Sequence, residues 1–168
     1  MLGDAHRAGA LNGYLMGAGG KATTMAGSDR PVRDSDMREI PLGTTGNYTM
    51  RVLPEHLANQ FKDAMLPQVF ATPMMIMAME NAALNAIRDY LDPGESAVGT
   101  AIDIRHLAAT PAGHMVTADA EVTGVDGRRI TFEVSARDET EEIGKGTHER
   151  MLVDLRRLDE RLARKRKP

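Results

Sequence analysis

The chain contains no cysteine and no tryptophan, and aromatic residues make up only 4% of its 168 positions. Without cysteine it has no disulfide, no thiolate metal ligand and no cysteine nucleophile. With so few rings, aliphatic side chains and the 12 methionines must fill the core. No apolar run approaches the roughly 20 residues that a membrane-spanning helix needs. The N-terminus carries no apolar stretch of the signal-peptide kind, so a cytoplasmic protein without a membrane partner is expected. An excess of one charge is also missing. The 21 basic and 24 acidic residues leave a net charge of −3, which calls for no nucleic-acid partner. No Walker motif, dinucleotide fingerprint, G-x-S-x-G or H-E-x-x-H is present, so no cofactor and no metal are expected.

What is present is the balance of a soluble globular chain, 42% apolar and 27% charged, with the length of one domain plus an extension. Residues 1–36 hold seven of the sixteen glycines and show no apolar periodicity, the pattern of a flexible tail. A domain is expected over residues 37–155. Residues 156–168 read as a basic helical tail, with seven bases against two acids and Leu155, Leu158 and Leu162 at helical spacing.

Within the domain, Tyr48, Met50 and Val52 alternate as in a strand that stops at Pro54. Thr72-Pro73 then supplies an N-cap residue and a proline in the first turn. The helix continues to about Leu91 and ends at Asp92-Pro93-Gly94. After it the period falls to two. Val98, Thr100, Ile102, Ile104 and His106 are expected on one strand face; Val116, Ala118, Ala120 and Val122 on the next; Ile130, Phe132, Val134 and Ala136 on a third. Thr110 to Gly113 and Asp126-Gly127 mark the turns. A last strand runs from about Lys145 to Leu155. One strand, one long helix and four antiparallel strands predict an α+β domain with the helix against one sheet face.

Three residues stand out chemically. Glu80 is the only charged side chain between Pro73 and Ile87, and its helical neighbours Ile76, Met77, Ala83 and Leu84 are all apolar. It lies about 100° from the polar stripe Asn81, Asn85, Arg88. Burial among such neighbours opposes the charge of a carboxylate that finds no partner. Its plainer role is a structural acid paired with a base. His106 falls on the strand face that must cover the helix, either as a satisfied core histidine or as a base. Thr72 is explained by capping alone, yet its hydroxyl also sits beside free backbone N–H groups that could stabilise an oxyanion. Thr72 and Glu80 are eight residues apart, roughly 12 Å along one helix. Met74, Met75, Met77 and Met79 read as core filler before they read as an acyl pocket. His148 and Arg150 share a face of the last strand, while Met151, Val153 and Leu155 suggest that the opposite face is the core.

The segments VFAT at 69–72, MEN at 79–81, GTAIDIRHLAATPAG at 99–113 and GTHER at 146–150 resemble the fluoroacetyl-CoA thioesterase family. The similarity spans about residues 37 to 155 and implies the hot-dog fold, a sheet of about five strands wrapped around one central helix. It further implies a catalytic set of Thr72, Glu80 and His106, with Gly99 and Arg150 near the substrate, in a homodimer whose sites lie at the subunit interface. The family's lid before the helix carries gating aromatics. Here that stretch reads FKDAMLPQVF, with Asp63 and Leu66 at the gate and Leu66 and Phe70 expected to line the substrate. A broader acyl-CoA than fluoroacetyl-CoA is therefore implied. Hydrolysis of an acyl-CoA thioester is the expected activity. The rival is a non-catalytic acyl-CoA or ligand-binding hot-dog module, and an enoyl-CoA hydratase ranks below both.

Overall fold

The computed structural model describes residues 38–166. The expected tail over residues 1–36, Met37 and the last two residues lie outside that range. Five strands form one antiparallel sheet in the order β1-β3-β4-β5-β2. They are β1 (Thr45–Arg51), β2 (Glu95–His106), β3 (Met115–Asp126), β4 (Arg129–Arg137) and β5 (Glu142–Asp154). A short helix α1 (Ala58–Phe61) precedes the long helix α2 (Thr72–Ile87), and α3 (Leu155–Lys165) follows β5. The chain leaves α2 through a 3-10 turn at Arg88–Tyr90, so the α-helix ends four residues before the expected Leu91. Among the described residues no helix is long and apolar enough to cross a membrane.

Helix α2 buries Met75, Ala78, Met79, Ala82, Ala83, Ala86 and Ile87. Four of these seven are alanines, and the small surface lets β1 approach closely. A side chain at Gly46 would run into the backbone of Ala82 and Ala86, which is why β1 carries a glycine where it crosses the helix. Against this face the sheet lays Val116, Ala118, Ala120 and Val122 of β3 and Ile130, Phe132, Val134 and Ala136 of β4, all buried, as the period-two pattern predicts. Phe132 is fully buried, so its truncation to alanine should cost about 3–5 kcal/mol. The turns fall where expected, with Gly94, Gly113 and Gly127 at φ of 90°, 92° and 55°.

Two strand faces differ from expectation. In β2 the pairing with β5 shifts between Gly99 and Ala101. This β-bulge inserts Thr100 and reverses the side-chain phase. Ala97, 4% exposed, and Gly99 therefore turn toward the helix before the bulge, as do Ile102, Ile104 and His106 after it. Val98 falls on the other face, 39% exposed. In β5 the core face is that of His148, Arg150 and Leu152, all buried, and the Met151 and Val153 face is the more open one. Simple alternation cannot reveal this, because the buried face carries a histidine and an arginine while the outer one carries aliphatics.

Candidate active site

Thr72 opens α2 but does not cap it. The N-cap position is Ala71, which offers no side-chain bond, and Pro73 follows in the first turn. The threonine hydroxyl is thereby free for another partner, and it lies 2.8 Å from Nδ1 of His106. Two supports hold the pair in place. The Phe70 N–H donates to the Thr110 carbonyl (2.8 Å) and the Ala71 N–H to that of His56 (2.9 Å). Buried Thr110 in turn donates its hydroxyl to Asp138 at 2.9 Å. Burial alone would raise the Asp138 carboxyl. Hydrogen bonds from Thr140, Glu141 and Thr110 outweigh it and hold the group down to about 2.

The His106 imidazole is pulled below the ordinary 6.5 by burial, with a backbone contact at Ala108 opposing the shift. A neutral ring is the consequence at physiological pH. Its Nε2 is buried and has no hydrogen-bond partner. In one tautomer the threonine donates to Nδ1; in the other Nδ1–H donates to Oγ1 and Nε2 carries an uncommitted lone pair.

Two turns further along α2, Glu80 occupies a different environment. Its side chain is 41% exposed, with Oε1 4.0 Å from Nε2 of His148. Solvent therefore reaches the carboxylate, unlike the fully apolar setting its sequence neighbours suggest. The strand opposite makes room for it. A Cβ at Gly99 would stand 2.6 Å from Glu80 Oε1 and 3.2 Å from His148 Cε1. Gly99 thus leaves the space that the Glu80 carboxylate occupies beside the His148 ring.

Under Glu80 lies a buried pair that the sequence left unplaced. His148 is 1% exposed and stacks on Phe132 with ring centroids 6.1 Å apart. Its Nδ1 lies 2.9 Å from the Ala101 carbonyl oxygen, which requires Nδ1–H and leaves Nε2 as an acceptor. Burial holds the ring below the ordinary histidine range, and the Arg150 charge adds to that effect. Arg150 donates to the carbonyl oxygens of Ala97 at 2.7 Å and Glu80 at 3.1 Å, and to His148 Nε2 at 3.3 Å.

The expected site residues thus fall into two groups, Thr72 with His106, and Glu80 with Gly99 and Arg150. His148 belongs to the second group and was missed as a site residue, for the same misread β5 phase. Phe70, expected to line the substrate, is 1% exposed and built into the core. Leu66 is half-buried in the loop before α2, where Met65 is 94% exposed. Met75 and Met79 are core filler as expected, whereas Met74 and Met77 remain half-buried. Among the described residues no group of three or more His, Asp or Glu side chains is placed to hold a metal ion.

A sheet curled around one long helix, with a hydroxyl–imidazole pair at the helix start and a solvent-reachable carboxylate on its side, defines a hot-dog thioesterase fold. A solved hypothetical protein from Thermus thermophilus, a thioesterase superfamily member, matches it with a TM-score of 0.72 at 29% identity, over 76% of this chain and 94% of that one. Residues 52–156 match the family model of the fluoroacetyl-CoA-specific thioesterase, and the chain belongs to that family. The fluoroacetyl-CoA thioesterase of Streptantibioticus cattleyicolor is 47% identical over 102 residues, 61% of this chain and 73% of the relative. A solved fluoroacetyl-CoA thioesterase superposes with a TM-score of 0.72 at 38% identity, covering 77% of this chain and 99% of its own.

Proposed function

We propose that this protein hydrolyses acyl-CoA thioesters at a site built from Thr72 and His106 of one protomer and Glu80 of a second. The 2.8 Å contact between the Thr72 hydroxyl and a neutral His106 carries the reading. A hydroxyl spent on capping would have left the histidine as core filler. Instead the pair stands at the start of α2, whose positive dipole end favours the oxyanion that forms when a thioester carbonyl is attacked. Glu80 supplies a carboxylate open to solvent. Attack on the carbonyl carbon breaks the C–S bond, and the CoA sulfur leaves and takes up a proton. Where Glu80 itself attacks, an acyl anhydride forms and water cleaves it; where Glu80 acts as base, water attacks directly. A single turnover in 18O-labelled water tests the anhydride route, because label enters the Glu80 side chain only when water opens an anhydride at the Glu80 carboxyl carbon.

The second protomer is supported by β2. It is one of the two edge strands, 12 residues long, and its residues 98–103 are exposed on both faces, Val98 and Ile102 among them. A long apolar edge with unpaired backbone groups is a pairing surface. Antiparallel pairing of β2 with its copy forms an isologous dimer and brings each Glu80 toward the other chain's helix start. That arrangement removes the roughly 12 Å gap between Thr72 and Glu80 within one helix. Asp63 and Leu66 in the stretch before α2 favour a broader acyl-CoA range than fluoroacetyl-CoA.

Thiol release from a panel of acyl-CoA esters tests the reading. Turnover by the wild type and its loss in Glu80→Gln support it. Binding of the esters without release by either protein would make this a ligand-binding module instead.

A further inference from the structure

Arg150 presents a problem for any mechanism that uses the Glu80 carboxylate. It is a guanidinium, 8% exposed, whose charge acts on Glu80, and its Nε is buried without a partner. A buried guanidinium with a spare donor beside a carboxylate would ordinarily close a two-pronged ion pair. Such a pair would occupy both carboxylate oxygens and remove them from the reaction. Yet the bonds of Arg150 go to the carbonyl oxygens of Ala97 and Glu80 and to the His148 ring.

We propose that His148 is a positioning residue that holds Arg150 off the Glu80 carboxylate. This inference rests on the thioesterase reading given above. The histidine is suited to the task on both sides of its ring. Nδ1–H is fixed on the Ala101 carbonyl at 2.9 Å, just past the bulge of β2, so Nε2 must accept. It accepts from Arg150 Nη1 at 3.3 Å while standing 4.0 Å from Glu80 Oε1. The ring thus lies against both charged partners and bonds to the guanidinium alone. Stacking on Phe132 and burial keep it from turning. It also borders Gly99, whose missing side chain leaves the space into which Glu80 Oε1 projects. His148 therefore ties the bulge, the guanidinium and the free carboxylate into one arrangement. Arg150 stays on its backbone partners, and Glu80 remains available to react.

Two substitutions separate the two bonds of the ring. In His148→Gln the side-chain oxygen reaches the Nε2 position and still accepts from Arg150. In His148→Asn the amide reaches the Nδ1 position, keeps the Ala101 bond and releases Arg150. Acyl-CoA hydrolysis should fall in kcat by about tenfold or more in His148→Asn, with KM changed by less than about threefold, and His148→Gln should stay within about threefold of wild type. In an Arg150→Met background the His148→Asn change should cost less than about twofold, since nothing is left to hold off. Asn and Gln variants equally impaired, an Asn variant equal to wild type, or an Asn penalty undiminished in the Arg150→Met background would each overturn the proposal. If that background is too slow to assay, the order of Gln above Asn decides. Wild-type turnover with unaffected variants defeats the positioning role alone, whereas a wild type that releases thiol from no acyl-CoA defeats the thioesterase reading and this proposal together.

Discussion

The two ends of the candidate site on α2 are built in opposite ways. At the helix start, an exposed threonine and a half-buried histidine share one hydrogen bond, supported by backbone bonds from Phe70 and Ala71. Two turns on, the exposed group is the carboxylate, and beneath it a buried histidine and arginine are fixed by bonds to Ala97, Ala101 and the Glu80 backbone. The first end is free to exchange protons and the second is over-determined. Mutations at the first end, and of the exposed Glu80 carboxylate itself, should therefore act on rate, and mutations of the buried pair beneath it on rate and stability together.

The largest expected effect is at Glu80. Glu80→Gln should lower kcat by roughly 10³-fold with little change in melting temperature, because its side chain is 41% exposed and makes no close ion pair. Next, His106→Ala should cost roughly 10²-fold in kcat, again with a stable fold. A melting temperature that drops with activity would show that both ends are structural. Arg150→Met should break the contrast from the other side. It strands the Ala97 carbonyl and empties the His148 acceptor, so denaturant unfolding should register a loss of about 1–3 kcal/mol besides the loss of rate. Gly99→Ala should be milder in stability, since the clash falls on the mobile end of Glu80 at 2.6 Å. Its kcat should nevertheless drop by roughly tenfold through displacement of the carboxylate.

The smallest effect is on pH. His106 and His148 both titrate below the ordinary 6.5 because of burial. The unfolded chain therefore binds more protons at these two positions, and their contribution to stability weakens as pH falls below about 6.5. The kcat profile, which requires neutral His106, should hold its plateau to below that value. A limb at or above 6.5 would show that the histidine is not buried against the helix.

Much of this architecture is legible in the amino-acid order. Thr72-Pro73 and Asp92-Pro93-Gly94 bracket the helix, and the alternation in β3 and β4 marks the buried faces without error. Glu80 and His106 stand out for the same reason, as polar residues breaking apolar patterns. What the order hides are phase changes and substituted partners. The bulge at Gly99 moves Val98 outward, because an extra residue leaves no compositional trace. The opposite face of β5 reads as the core, and the burial of His148 and Arg150 is hidden since their bonds go largely to backbone carbonyls, which have no signature in a side-chain pattern. Thr72 looks complete as a cap, and only the geometry shows its hydroxyl turned to His106.

The central claim is that these two ends act together across protomers. Subunit exchange between the inactive Thr72→Ala and Glu80→Gln proteins tests it most directly. If each site takes Thr72 from one chain and Glu80 from the other, a mixed dimer holds one site with both lesions and one with none. Random exchange then restores roughly a quarter of wild-type activity, half the dimers being mixed and half their sites intact. If each chain carries a whole site, every site in the mixture bears a lesion. Activity that stays at the level of the separate variants, with exchange verified by differential tagging, would contradict the account.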